Sequence, residues 1–430
     1  MGNRLLLKNG RVVDPSSKLD STMDILIEDG KIKEIKERID LKEKDVEIID
    51  CSKYIVAPGF IDLHTHLREP GREDEETIES GSLSAVAGGF TSICCMPNTD
   101  PPNDCKEVTE FIIRRGKEVG LVNIFPIAAV TKGRKGEEIV EMAELSRSGV
   151  VGFSEDGSCV RSSYIMRRAM EWAKFLKKPI MEHAQDPELS ADGVMNEGLY
   201  SYIHGLRGIP KEAEEIIVSR DIILSKMTGA HLHILHLSSA YSLEMIKRAK
   251  KEGINVTVEV TPHHLILSDK DLIPWDSNFK MNPPLASEED RKALVEGLKD
   301  GIIDCIATDH APHTVDEKMV EFDQAPFGIV GLETAVPLIM DKFVSTGIIS
   351  VERFVSLFSC NPAKIIGLKN KGSLKPNFDA DITIINPTKI KTVDKTKFKS
   401  LSRNTPFHGR KLRGWPVITI VGGRIVWREE

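Results

Sequence analysis

From Pro58 onward, short strand-like runs alternate with stretches of helical period. About eight such pairs fit into roughly 300 residues, the count and length of a closed barrel. After the apolar run that begins at Gly59, strand-like runs fall at 92–95, 121–129, 150–153, 179–181, 233–237, 255–260 and 304–307. Helical patterns lie between them at 77–87, 106–119, 137–147, 164–176, 212–227, 243–251 and 288–298. Strands separated by helices pair in parallel, because the crossover returns the chain to the same end of the sheet. An α/β fold built as a (β/α)8 barrel is therefore expected. The open doubly wound sheet is the alternative, but no Gly-x-Gly-x-x-Gly turn follows an early strand.

The two chain ends read differently. Runs at 4–7, 12–13, 23–27, 31–35, 46–49 and 54–56 are strand-like, with Asp29-Gly30 as a hairpin signal. Near Gly372 the helical pattern stops. A strand is expected at 379–385, and 417–421 and 424–427 flank Gly422-Gly423 as a second hairpin. The expected organisation is a small β domain formed by both termini, residues 1–57 and 372–430, flanking a barrel of residues 58–371.

Composition excludes several classes. The net charge is −7 with no long block of like charge, which argues against a nucleic-acid surface. No apolar run approaches the ~20 residues that span a bilayer. The first residues, Met1 to Lys8, are too short and too soon charged for a signal peptide. Seven scattered cysteines without a Cys-x-x-Cys pair read as reduced thiols, so a cytoplasmic location is expected.

Barrel enzymes draw their working residues from the C-terminal ends of strands. His64 and His66 end the first strand two residues apart, so both imidazoles share one face. His183, His236, Asp156 and Asp309 fall at the exits of four further strands. Imidazole nitrogen and carboxylate oxygen without thiolate suit Zn2+ in an open, catalytic site. Six ligands exceed one tetrahedral ion and suit two, sharing a bridging carboxylate and hydroxide. Such a centre polarises a carbonyl and activates water, which is hydrolytic chemistry at an amide. Among the other histidines, His231 and His233 share a strand face opposite to His236 and read as structural. His204 and His408 lie in polar loops, His263 and His264 are expected to be structural, and His310 should point away from Asp309. His313, in the loop after the last strand, is a candidate substrate contact.

His64-Thr65-His66-Leu67-Arg68-Glu69-Pro70-Gly71, Met96-Pro97-Asn98-Thr99, Asn282-Pro283-Pro284-Leu285 and Ala307-Thr308-Asp309-His310-Ala311-Pro312-His313 closely resemble the dihydroorotase family. The likeness is to its long, type I form within the amidohydrolase superfamily, and it extends over essentially the whole chain. It implies that His64, His66 and Asp309 hold one zinc and His183 and His236 a second. Many amidohydrolases bridge the two ions with a carboxylated lysine after the fourth strand. Here Gly152-Phe153-Ser154-Glu155-Asp156-Gly157 offers Asp156 instead, so one or two ions are expected, with two favoured and Asp156 bridging.

The resemblance further implies reversible cyclisation of N-carbamoyl-L-aspartate to L-dihydroorotate with loss of water, the ring-closing step of pyrimidine biosynthesis. In the opening direction a zinc hydroxide would attack, with Asp309 as general acid and base. Arg68 would pair with a substrate carboxylate, with His66, Asn98 and His313 beside it. Asn282 would read the ring amide, and backbone groups of Phe327 and Gly328 would contact the ring. Residues 314–325 are expected to form a mobile loop. A homo-oligomer is expected, with aspartate transcarbamoylase as a candidate partner. Hydantoinase, dihydropyrimidinase and allantoinase are the neighbouring alternatives, and a catalytically dead scaffold is the alternative of a different class. The retained ligands and the absent lysine argue against them.

Overall fold

Every residue of Phe60–Thr65 (β1) and Phe90–Cys95 (β2) is buried. This is why neither strand alternates between apolar and solvent-facing charged residues: each has the barrel interior on one face and helices on the other. The computed structural model describes residues 4–40, 46–273 and 276–429. β1 pairs in parallel with β2, and β2 with β3, which comes in two pieces, Asn123–Pro126 and Ala128–Ala129. The Ile127 N–H bonds to the Cys95 carbonyl at 2.9 Å and carries the ladder across the gap. Phe153–Ser154 (β4), Ile180–Glu182 (β5), Leu232–Ile234 (β6), Val256–Val260 (β7) and Cys305–Ile306 (β8) continue the parallel order.

The barrel closes between its last and first strands. Thr65 and His310 form a parallel bridge, and the His66 N–H bonds to the His310 carbonyl at 2.9 Å. Deeper in, the buried Asp62 carboxylate accepts the Thr308 N–H at 3.1 Å. Ile61, Leu63, Met181, Leu235 and Cys305 fill the interior, while a larger cluster packs the strands against the helices. The (β/α)8 expectation holds.

Two local readings differ from the structure. The helical pattern at 137–147 yields a helix only from Met142 to Ser148. Gly133 (φ 60°) and Gly136 (φ 74°) turn the chain back first, so Ile139 bridges to Thr131 and the Lys132 N–H bonds to Glu138. Several strands are also shorter than their apolar runs. β8 covers two residues because the chain leaves the ladder early to aim Asp309. Between β5 and the helix Glu212–Thr228 lies an excursion that periodicity did not reveal, with short helices Pro187–Ser190 and Leu199–His204 and a two-stranded ribbon.

Strands from both chain ends interleave in one eight-stranded sheet. Ile382–Thr392 pairs antiparallel with Ile55–Pro58, which itself pairs with Arg4–Asp14. Leu7, Ile25, Ile27, Ile382 and Ile420 form its core. Ile55–Pro58 leads directly into β1, and the Gly59 N–H bonds to the Asp381 carbonyl at 2.8 Å. A Cβ at Gly59 would collide with Thr91, so this junction requires glycine. Residues 1–3, 41–45 and 430, which the expected small domain includes, lie outside the described residues. The opening Met1 to Asn3 of the segment read against a signal peptide lies outside them too. Among the described residues, no helix is long and apolar enough to cross a membrane.

Candidate functional site

The six residues singled out as metal ligands meet at the C-terminal mouth of the barrel. β1 delivers His64 and His66, with Nε2 of each turned toward the axis. His64 Nε2 lies 3.3 Å from Asp156 Oδ1 and 3.4 Å from Asp309 Oδ1. His66 Nε2 lies 3.0 Å from Asp309 Oδ1 and 3.3 Å from Asp156 Oδ2. On the other side, His183 Nδ1 is 2.9 Å from His236 Nε2, and both approach Asp156 Oδ1, at 3.4 and 3.5 Å. Asp156 is the residue common to both halves.

The backbone is bent to achieve this. Arg68 (φ 60°), His236 (φ 29°) and Asp309 (φ 46°) occupy the left-handed region, which costs an L-residue with a side chain of this size on the order of 1 kcal/mol or more. Each sits just past the end of its strand, where the turn swings the side chain inward.

The donor set fits a divalent cation on its own chemistry. The His64 Nδ1–H donates to Glu259 Oε1 at 2.8 Å, so Nε2 is the nitrogen turned toward the two carboxylates. His64 Nε2 and Asp156 Oδ1 are both buried and have no hydrogen-bond partner. Likewise the His183 Nε2–H donates to Gln185 Oε1 at 2.9 Å, so its Nδ1 lone pair faces His236. Two ionised carboxylates buried this close together repel one another unless positive charge lies between them, which a divalent cation among these nitrogens would supply. His64, His66 and Asp309 form one group whose ligand atoms lie within 4.8 Å of each other, and His64, Asp156 and His236 form another.

Charge is correspondingly displaced. Burial pulls the His64 imidazolium down, but Asp309, Asp156 and Glu259 outweigh it and raise its pKa well above the ordinary value. Burial pushes the Asp156 and Asp309 carboxyls up, and the surrounding histidines outweigh that and hold both below the usual range. His236 is held down chiefly by burial. The pocket therefore keeps its carboxylates ionised and calls for positive charge between them.

Around this centre a cavity of about 320 Å³ is lined by Arg68, Asn98, Asn282, His313 and Phe327, together with five of the six ligand residues. His64 sits beneath them. Asn98 accepts from His66 Nδ1 at 2.8 Å, and Asn282 donates to Gln185 at 2.7 Å. Arg68 is held by Glu75 at 2.8 Å and by the Pro312 carbonyl at 3.0 Å. His313 joins Glu75 to the Phe327 carbonyl, at 2.9 and 2.8 Å. Gly328 does not line the cavity. Its N–H is taken by the Lys280 carbonyl, and its own carbonyl accepts from Lys318 and Asn404. Residues 314–325 begin with a capped turn, Val315–Lys318, tied to the β1 loop through Arg72 and Glu317 at 2.6 Å.

Sequence reasoning missed three residues that hold the site together. Glu259, fully buried in β7, accepts from His64, from His233 Nε2 at 3.1 Å and from the His236 N–H at 3.3 Å. Burial pushes its pKa up, and the neighbouring His64 together with the hydrogen bonds from His233 and His64 outweighs that and lowers it to about 2. Its signal was a lone acid inside the apolar run Val256–Val260, which burial permits only if it is paired. Glu75 hid in the acidic run Glu73 to Glu76, which looks like a solvated loop but turns Glu75 and Glu76 inward. Gln185 carried no signal. His310 turns away to Glu76 at 3.1 Å, and His231 and His233 share Thr257, as strand parity implies.

Known proteins match this chain as follows. Residues 53–242 match a family model described as Dihydro-orotase-like. The dihydroorotase of Caldanaerobacter subterraneus subsp. tengcongensis is 50% identical over 99% of this chain and 98% of that protein. The dihydroorotase of Syntrophus aciditrophicus is 48% identical over 99% of this chain and 100% of its own. Among solved structures, the L-hydantoinase (dihydropyrimidinase) of Arthrobacter aurescens superposes with a TM-score of 0.89 at 27% identity, covering 100% of this chain and 96% of that one.

Proposed function

Since this chain belongs to the dihydroorotase family, we propose that the cavity at the barrel mouth interconverts N-carbamoyl-L-aspartate and L-dihydroorotate in the cytoplasm, using zinc. The observation that carries the reading is the convergence of His64, His66, Asp156, His183, His236 and Asp309, from five strand exits, on one point. His64, His66 and Asp309 would hold one ion, His183 and His236 a second, with Asp156 shared between them. When bound, the metal polarises the amide carbonyl and makes water acidic enough to attack near neutral pH.

The chain's own residues supply the rest. In ring opening, the water oxygen bonds to the ring carbonyl carbon and the carbon–nitrogen bond breaks. Asp309, held ionised among histidines, takes the proton from water and delivers it to the leaving nitrogen. Ring closure is the reverse and releases water. Arg68 offers its fork to the substrate carboxylate, and Glu75 fixes the direction of that fork in advance. Asn98 and His313 would complete the carboxylate site beside His66, and Asn282 would meet the ring amide. Phe327, in the cavity wall, would meet the ring, whereas Gly328, expected beside it, has its N–H and carbonyl bonded within the chain and would not.

The test is a dihydroorotate ring-opening assay on metal-analysed protein, alone and then with aspartate transcarbamoylase added. Turnover with bound zinc supports the reading. Turnover only with the partner would mean that docking completes the site. Bound zinc with no turnover in either case, but with hydrolysis of hydantoins or allantoin, would overturn the substrate assignment. Neither zinc nor turnover would indicate a scaffold.

A further inference from the structure

Behind His313 lies a second, smaller cavity that the proposed reaction does not use. Its volume is about 140 Å³, less than half that of the catalytic cavity, and it sits where the barrel meets the C-terminal segment. The turn Val315–Lys318 forms one side, and Lys395, Arg403 and Asn404 form the other. Lys318, Lys395 and Arg403 bring three positive charges to it, and among the described residues no aspartate or glutamate lines it.

Among the described residues, none of these three cations pairs with a carboxylate. Lys318 is 8% exposed, and its ammonium donates to the Pro326 carbonyl at 2.8 Å and the Gly328 carbonyl at 3.2 Å. Arg403 donates from one end of its fork, Nη1, to the Ser400 and Ser402 carbonyls. The acids beside these lysines in sequence are committed elsewhere: Glu317 to Arg72 at 2.6 Å, and Asp394 to the Thr396 N–H at 3.1 Å. A lysine buried this deeply is ordinarily paired. Burial and the neighbouring Lys280 instead lower its pKa to about 7. Three such cations around one cavity, in a chain of net charge −7, call for an anion.

We propose that this cavity is a binding site for a small oxyanion of the phosphate or bicarbonate class. Its volume admits a few heavy atoms and is too small for a nucleotide. Ammonium and guanidinium groups on opposite sides suit a ligand with several acceptor oxygens better than a single-atom anion. Position gives the site a consequence. His313 stands in the wall of both cavities, and Lys318 holds the carbonyls on either side of Phe327, which also lines the catalytic cavity. A bound anion therefore fixes residues 314–328 from behind, and with them one wall of the catalytic cavity. The site does not depend on which substrate that cavity takes.

Hydrogen–deuterium exchange and thermal melting of the metal-loaded full chain, titrated with inorganic phosphate, test it against sodium chloride of equal ionic strength. Phosphate should slow exchange in residues 314–325 and raise the melting temperature, and chloride should do neither. Lys395 belongs to the short turn Lys395–Lys397, which has no buried residue and shares none with the catalytic cavity. Lys395→Glu should weaken phosphate at least roughly tenfold, the loss of one charge-assisted hydrogen bond, while the melting temperature in chloride stays the same. Bicarbonate in place of phosphate separates the two sources: protection by one alone identifies the ligand, and protection by both marks a general oxyanion site. A crystal soaked in selenate should show the anion between Lys318 and Arg403. An effect that chloride reproduces, one that Lys395→Glu retains in full (as phosphate held at the metal centre would), or an empty cavity in the soaked crystal would each overturn the inference.

Discussion

Replacing Glu259 by Gln probes how the site is held rather than what reacts in it. The carboxylate receives three N–H groups, from His64 Nδ1, His233 Nε2 and the His236 backbone. Glutamine keeps the shape, but one of its two ends becomes a donor that faces an N–H. A hydrogen bond to an ionised acceptor is worth about 1.5–3 kcal/mol against about 0.5–1.5 for a neutral one. The variant therefore loses about 1–2 kcal/mol at His64 and more if His233 is left unpaired. Because Glu259 also sets which His64 nitrogen carries the proton, the loss should appear in metal affinity. A weakening of about 10- to 100-fold is expected, which is about 1.4–2.8 kcal/mol. Competition against a chromophoric chelator measures this directly, and turnover at saturating metal should recover most of its lost value. Glu259→Ala should be worse, since it leaves the buried His64 N–H with no acceptor. Unchanged zinc affinity in Glu259→Gln, with the thermal transition also unmoved, would refute the argument.

Asp309→Asn should remove turnover by at least about 100-fold while circular dichroism stays native, and near-normal turnover would sink the proton-transfer assignment. Arg68→Lys keeps the charge but loses the fork that Glu75 holds; KM for dihydroorotate should rise about tenfold or more with little change in melting temperature, and an unchanged KM would count against a carboxylate contact. Stripping metal with a chelator should lower the melting temperature and zinc should restore it; at a free ion concentration ~1,000 times Kd the difference is about 4 kcal/mol. A melting temperature indifferent to zinc would mean that the histidine–aspartate cluster does not bind it.

Much of this was legible in order along the chain. The alternation of strand and helix patterns specifies a barrel because parallel neighbours need crossovers, and crossovers of one hand close the sheet. Strand parity alone put His64 and His66 on one face and turned His310 away. Position at a strand exit was enough to select Asp156, His183, His236 and Asp309 from a larger set of histidines and acids.

What periodicity could not supply is the partner of each side chain. Glu259 lies 195 residues from His64, and Glu75 lies 238 residues from His313; no local pattern links either pair. Their contact depends on the register of strands around the barrel and on the Thr65–His310 bridge that closes it. The helix expected from Glu137 starts at Met142 for the same kind of reason, since a glycine turn lets that segment pair with Thr131 instead. The amino-acid order determined the architecture and the reactive groups, because strand and helix periods are local properties of the backbone. Only the closed tertiary structure decided how those groups are held and charged, because burial and pairing arise when distant segments exclude water from one another.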